Sequence, residues 1–216
     1  MESDKRKNVI LGITGSVASI KLRELANKLT QNLNINICIV PTKNALHFVP
    51  DFDTFCDVPS LHERLQLLKQ VEDSREESFV FSFTDEDEWK SWEKRTDPVL
   101  HIELKKWADL FLLAPLDANT MGKLANGLCD NLLTCIARAW DIGAVKEKPF
   151  VVCPAMNTYM YNHPLTGKQL KILSEDFGFT VVDCVEKVLM CGDVGIGAMA
   201  SVDTIVAVVK DLLTRS

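Results

Sequence analysis

An open, doubly wound α/β domain with a parallel sheet is the fold class this sequence predicts. Three observations carry the prediction. Short β-branched runs recur without polar alternation, as strands buried on both faces require. Segments with apolar residues at helical spacing lie between them, and the two kinds alternate along the whole chain. The expected strands are "NVILGIT", "INICIVPT", "LFLLAPL", "FVVCPA" and "FTVVD". The expected helices cover residues 17 to 31, "GKLANGLCDNLLTCIARAW", "TGKQLKILSEDFG" and "VDTIVAVVKDLL". In "DPVLHIELKKWADL", Asp97 reads as an N-cap and Pro98 as the first helical residue, which sets His101 in the first turns and favours a neutral imidazole. Residues 51 to 84 show no obvious strand and mixed charges. They read as a solvated, irregular insertion with at most one short helix in a single domain spanning 1–216.

Composition narrows the function. The 216 residues are 47% hydrophobic, enough for a full core, and the net charge of −6 without a basic face argues against nucleic acid. The charged start lacks the apolar run of a signal peptide, and no stretch is long enough for a membrane helix, so a cytoplasmic protein is expected. Seven cysteines without a CxxC pair suggest neither disulfides nor a zinc knuckle, and His and carboxylate spacing suggests no metal site. A small-molecule partner fits best.

In open α/β sheets the ligand crevice lies beyond the carboxyl ends of the strands. There stand "TGSVAS", with Gly15, Ser16 and Val17; "PTKNALHF", with Thr42, Lys43 and Asn44; "DANT", from Asp117 and Ala118 to Asn119 and Thr120; and "PAMNTYMY", with Ala155, Asn157 and Met160. The polar residues also read as helix N-caps, but sharing one crevice they suit a phosphorylated, planar cofactor. "LMCGDVGIGAMA" sets Cys191 beside Gly192, Gly195 and Gly197. By itself Cys191 reads as a metal ligand, half a disulfide, an inert turn residue or a proton donor under a mobile flap.

Taken in order, "TGSVA", "DPVLHIELKKWADL", "APLDANTMGKLANGLCDNLLTCIARAWD", "PAMNTYMY" and "CGDVGIGAMA" resemble the flavin-dependent cysteine decarboxylase family. Tyr161 stands where that family usually has Trp, and the 51–84 connection is longer than usual. The resemblance implies a flavodoxin-like three-layer sandwich, bound FMN, a homotrimer with the flavin at a subunit boundary, and decarboxylation of phosphopantothenoylcysteine for coenzyme A synthesis. By the same resemblance Gly15, Ser16, Val17, Thr42, Lys43, Asn44, Asp117, Ala118, Asn119, Thr120 and Ala155 hold FMN. Asn157 and Met160 contact substrate, with Asn157 on its carboxylate, and His101 and Cys191 are the catalytic pair. The implied chemistry oxidises the cysteinyl side chain to a thioaldehyde, which stabilises the ene-thiolate left by CO2; reduction then needs a proton. Cys191 is the expected acid, its glycines letting the flap close and reopen. Rival readings from the same resemblance are a regulatory flavin-binding subunit of a protein phosphatase and a peptidyl-cysteine decarboxylase.

Overall fold

The computed structural model describes residues 6–58, 60–69, 78–142, 148–188 and 194–215. In chain order the elements are β1 (Asn8–Ile13), α1 (Leu22–Leu33), β2 (Asn36–Pro41), α2 (Leu61–Leu67), β3 (Val80–Ser82), α3 (Asp85–Lys90) and α4 (Leu100–Trp107). They continue with β4 (Leu110–Leu116), α5 (Ala118–Asn126), α6 (Leu132–Ala139), β5 (Phe150–Pro154), α7 (Thr158–Tyr161) and α8 (Pro164–Lys171). The last are β6 (Thr180–Val181), β7 (Val185–Val188), β8 (Val194–Ala198) and α9 (Val202–Arg215). Among the described residues no helix is long and apolar enough to cross a membrane.

The main sheet runs β3-β2-β1-β4-β5-β6, and all its neighbours are parallel. Alternate residues of each strand feed two separate cores. Val9, Leu11, Ile13, Ile37, Ile39 and Leu112 pack with α1 and α9, whereas Ile10, Cys38, Val40, Phe111 and Leu113 pack with α4, α5 and α6. Both faces are therefore covered, which explains why the strands read as unbroken apolar runs. Without β3 the strand order is that of flavodoxin-like sheets, as expected.

The sequence reading needs four corrections. The 51–84 connection is not simply irregular: it supplies α2 and the edge strand β3, paired Ile37 to Val80 and Ile39 to Ser82. Three residues are too few to show periodicity. Nor is it wholly solvated, for Arg64 donates to the Ser82 carbonyl and pairs with Asp87 at 3.3 Å, with side chains only 11% and 12% exposed. The long helical run at 122–140 is broken in two, because Gly127 takes a left-handed φ of 70° and Asn131 starts α6 with a capping box. Asp97 does not cap α4, which starts at Leu100; its carboxylate accepts instead from the amides of Glu93 and Lys94, both at 2.9 Å, and these bonds hold its pKa below the usual range. Finally, β7 and β8 form an antiparallel hairpin that the sequence reading did not anticipate.

One buried hydroxyl joins the two central strand ends. Thr14, fully buried, donates from Oγ1 to the Pro115 carbonyl at 2.9 Å and accepts there from the Asp117 amide at 2.7 Å. Thr14→Val keeps the shape but removes both bonds. A loss of about 1–3 kcal/mol is expected from the stranded polar groups, measured by urea unfolding against the parent protein.

Candidate functional site

The chain leaves β1 toward β2 and leaves β4 toward β5, on opposite sides, while β1 and β4 are neighbours. A crevice opens at the carboxyl ends of strands where such a reversal occurs. The loops meet there. A Cβ on Gly15 would lie 3.0 Å from Asn44 Cβ and 3.0 Å from Asp117 Oδ2, so three loops converge where only glycine fits without displacement. Ser16 caps the short 3₁₀ turn Val17–Lys21 through Ala18 N, and Val17 is 39% exposed.

The remaining crevice residues divide by how their polar atoms are engaged. Asp117 caps α5, accepting from Thr120 N at 2.7 Å, with Ala118 and Asn119 in the same first turn. Asn44 precedes a 3₁₀ turn without making a side-chain cap bond, and Lys43 beside it is exposed. Thr42 is buried, yet its Oγ1 has no hydrogen-bond partner among the described residues. Such an orphaned hydroxyl is costly unless a ligand completes it. Ala155, buried, donates its amide to the Leu116 carbonyl at 3.0 Å. A glycine-lined approach, an orphaned hydroxyl and helix starts fit a phosphorylated planar group such as FMN.

A second group surrounds the end of β5. Asn157 caps α7 with its Oδ1, accepting from Tyr159 N at 2.8 Å, and Met160 is 50% exposed. The β7–β8 hairpin docks directly on this block. Met156 N donates to the Gly197 carbonyl at 2.9 Å; a Cβ on Gly197 would lie 2.3 Å from the Met156 carbonyl, and one on Gly195 2.6 Å from Thr158 Oγ1. Gly197 also holds a φ of 141°, which side-chain-bearing residues rarely adopt. At Gly195 and Gly197, then, close backbone approach demands glycine, in addition to any mobility expected of a flap. Cys191 and Gly192 lie outside the described residues. Tyr161 donates from its hydroxyl to Asp183 at 2.8 Å, and burial followed by that carboxylate pushes its pKa up. Where the family usually has Trp, the phenol thus finds a partner on the strand-end loop.

His101 belongs to a third group. Helix α4 leads into β4, so its amino end lies at the same end of the sheet as the crevice, on the face occupied by α3 and α6. His101 Nδ1 is 2.5 Å from Glu88 Oε1. One ligand atom from each of Glu88, His101 and Cys135 lies within 4.8 Å of the others, although the residues come from three helices. No local spacing displays that grouping. The Glu88–His101 contact is a hydrogen bond that leaves no space for an ion between its atoms. Burial first, then the Glu88 carboxylate, pushes the Cys135 thiol up to about 11. Sequence reasoning missed Glu88 and Cys135; the only local signal was "TDEDEW", the capping-box start of α3.

The chain belongs to the flavoprotein family, whose model matches residues 1–214. It is 47% identical to mouse (Mus musculus) phosphopantothenoylcysteine decarboxylase over 99% of this chain and 91% of the relative. It is 44% identical to the Arabidopsis thaliana phosphopantothenoylcysteine decarboxylase over 95% of this chain and 85% of the relative. Among solved structures, a cysteine-to-serine mutant of PPC decarboxylase complexed with pantothenoylaminoethenethiol superimposes with a TM-score of 0.78 at 42% identity, covering 98% of this chain and 100% of the other. The FMN binding protein AtHal3 gives a TM-score of 0.76 at 42% identity, covering 98% and 99%.

Two outcomes test this geometry. Gly197→Ala should undock the hairpin, because the new methyl meets the Met156 carbonyl at 2.3 Å; limited proteolysis should then cut within residues 185–198 faster than in the parent. In iodoacetamide mapping at pH 8, exposed Cys129 should label well before Cys135, whose thiol titrates near 11. The Cys135 rate should climb about tenfold per pH unit below that value.

Proposed function

We propose that this chain, acting as one domain, is the FMN-dependent carboxy-lyase that converts 4′-phosphopantothenoylcysteine to 4′-phosphopantetheine for coenzyme A synthesis. The observation that carries the reading is the convergence of Gly15, Asn44 and Asp117 at the switch point, beside the orphaned hydroxyl of Thr42. Supporting it are relatives named phosphopantothenoylcysteine decarboxylase over nearly the whole chain, and the AtHal3 structure named for FMN binding. Bound there, FMN supplies a reversible two-electron sink, which an N-acylated cysteine needs because it cannot form a Schiff base.

The chain's own residues supply the rest. Gly15, Ser16, Val17, Thr42, Lys43 and Asn44, with Asp117 to Thr120 and Ala155, hold the cofactor. Spending the Asn157 oxygen on the α7 cap orients its NH2 group as a donor for the substrate carboxylate, with no rival charge. Met160 packs on the substrate. His101 takes the proton released from the cysteinyl thiol during oxidation, and Cys191 protonates the ene-thiolate after CO2 has left. The PPC decarboxylase whose mutant exchanges cysteine for serine holds pantothenoylaminoethenethiol, an ene-thiol that has lost its carboxyl group, which supports an acid acting late.

We extend the proposal to a homotrimer in the cytoplasm. Exposed Ile20 (59%), Trp89 (81%) and Tyr159 (79%) supply apolar surface for subunit contacts, and the six described cysteines are free thiols, as a reducing compartment maintains.

Anaerobic mixing of FMN-loaded protein with phosphopantothenoylcysteine tests the reading: flavin bleaching and CO2 release are expected, and neither should follow from a cysteine-ended peptide. The reverse preference would establish the peptidyl reading, and inertness toward both the regulatory one. Cys191→Ser should still release CO2 but accumulate the ene-thiol, whereas a normal yield of phosphopantetheine would remove Cys191 from the role. Asn157→Asp should raise KM about tenfold or more by opposing the substrate carboxylate, as read from initial rates.

A further inference from the structure

The block "TDEDEW" places four carboxylates in α3, and three have evident structural work. Asp85 Oδ1 accepts from Leu132 N at 2.8 Å, tying α3 to the first turn of α6. Glu86 pairs with Lys90 on the surface at 3.0 Å. Asp87 completes the capping box, accepting at Oδ2 from Thr84 N at 2.8 Å and Thr84 Oγ1 at 3.0 Å, and is gripped from the far side by Arg64. These anchors fix a helix of only six residues at its start, at its flank and against α6. The fourth carboxylate is Glu88. Its side chain is 15% exposed, it pairs with His101 Nδ1, and no Lys or Arg pairs with it among the described residues.

We propose that Glu88 is the positioning residue for His101: it holds Nδ1 as the N–H donor and thereby leaves Nε2 as the nitrogen that accepts the substrate's proton. This inference rests on the proposed function. With Glu88 ionised, the hydrogen of the 2.5 Å contact belongs to Nδ1, and a neutral imidazole then carries its lone pair on Nε2. When the S–H bond of the cysteinyl group breaks, its proton goes to Nε2 and its electron pair becomes the second bond of the C=S group, while the Cβ–H pair departs as hydride, for which FMN, bound as proposed above, would be the two-electron acceptor. The imidazolium so formed faces an anion already in place, and no reorganisation is needed to meet the new charge. Burial of Cys135 as a neutral thiol beside the pair adds no second anion to compete with Glu88.

A merely structural contact predicts something different. Glutamine is nearly isosteric with Glu88 and can still accept from Nδ1, so Glu88→Gln would leave a packing role intact. If Glu88 positions the base, Glu88→Gln lowers kcat by about 100-fold, near the lower end of what a positioned general base contributes, with KM changed by less than about threefold. Flavin content and melting temperature of the FMN-loaded variant report whether it has folded. Independently of any variant, nitrogen NMR of the parent protein labelled with 15N-histidine, recorded at a pH where the ring carries one proton, should show that hydrogen on Nδ1 of His101, and Glu88→Gln should mix the tautomers. A parent spectrum with hydrogen on Nε2 overturns the proposal, as does a folded Glu88→Gln with unchanged kcat. His101→Gln separates the two levels of inference. If it retains full activity, the assignment of His101 under the proposed function fails; if it is inactive while Glu88→Gln is normal, only the role of Glu88 fails.

Discussion

The Thr14 hydroxyl, donating to the Pro115 carbonyl near the end of β4 and accepting from the Asp117 amide just beyond it, is the contact on which the crevice depends. A parallel strand covered on both faces has few side chains left for chemistry, since its apolar positions are committed to one core or the other. Polar function is therefore displaced to the strand ends, and two strand ends form one site only if their loops keep a fixed separation. Thr14 sets it between β1 and β4, with no water needed in the span. Gly15 then faces Asp117 and Asn44 with too little room for a side chain. A larger residue at Gly15 would force apart the loops that Thr14 draws together.

The same economy of space governs the hairpin. Glycine-rich sequence invites a reading in terms of motion. Yet at Gly195 and Gly197 the backbone lies so close to Thr158 and Met156 that any Cβ would collide. The missing side chains let β8 dock on the Met156–Thr158 segment.

Legibility in the sequence followed the range of the interactions involved. The four long strands β1, β2, β4 and β5 were readable because burial on both faces leaves unbroken apolar runs, β6 because its two residues sit in the longer apolar run "FTVVD", and α9 because one buried face imposes a helical period. Gly15, Thr42 and Asp117 could be nominated because the fold class says where strand ends go, although nothing local revealed that the hydroxyl of Thr42 lacks a partner. β3 was not readable, since three residues carry no period, and it is held by pairing with β2 and by Arg64 reaching across to Asp87. Glu88 was hidden for a related reason. Its meaning depends on a histidine thirteen positions away on a different helix, and within its own block it is indistinguishable from three neighbours that serve as cap, tie and surface pair. Asp97 misled because Asp-Pro is a familiar helix start, whereas here a tight turn at Glu93 and Lys94 offers two amides and satisfies the carboxylate first.

Capping and binding are usually set against each other as explanations for a polar residue at a helix start, but the two-ended side chains in this crevice do not force the choice. Asp117 spends Oδ1 on Thr120 N, while Oδ2 faces the Gly15 turn. Asn157 spends its oxygen on Tyr159 N, which turns the donor end of the amide the other way. A cap bond removes the rotamer freedom that binding would otherwise have to freeze, so the capped residue meets a ligand already oriented. Asn44 and Thr42 do the opposite: one makes no cap bond and the other no side-chain bond at all. Asn44 is exposed and water can satisfy it until a ligand arrives, whereas the buried Thr42 hydroxyl costs stability until a bound group completes its bond. Pre-oriented caps beside an unsatisfied buried hydroxyl are what a site organised around a resident cofactor requires.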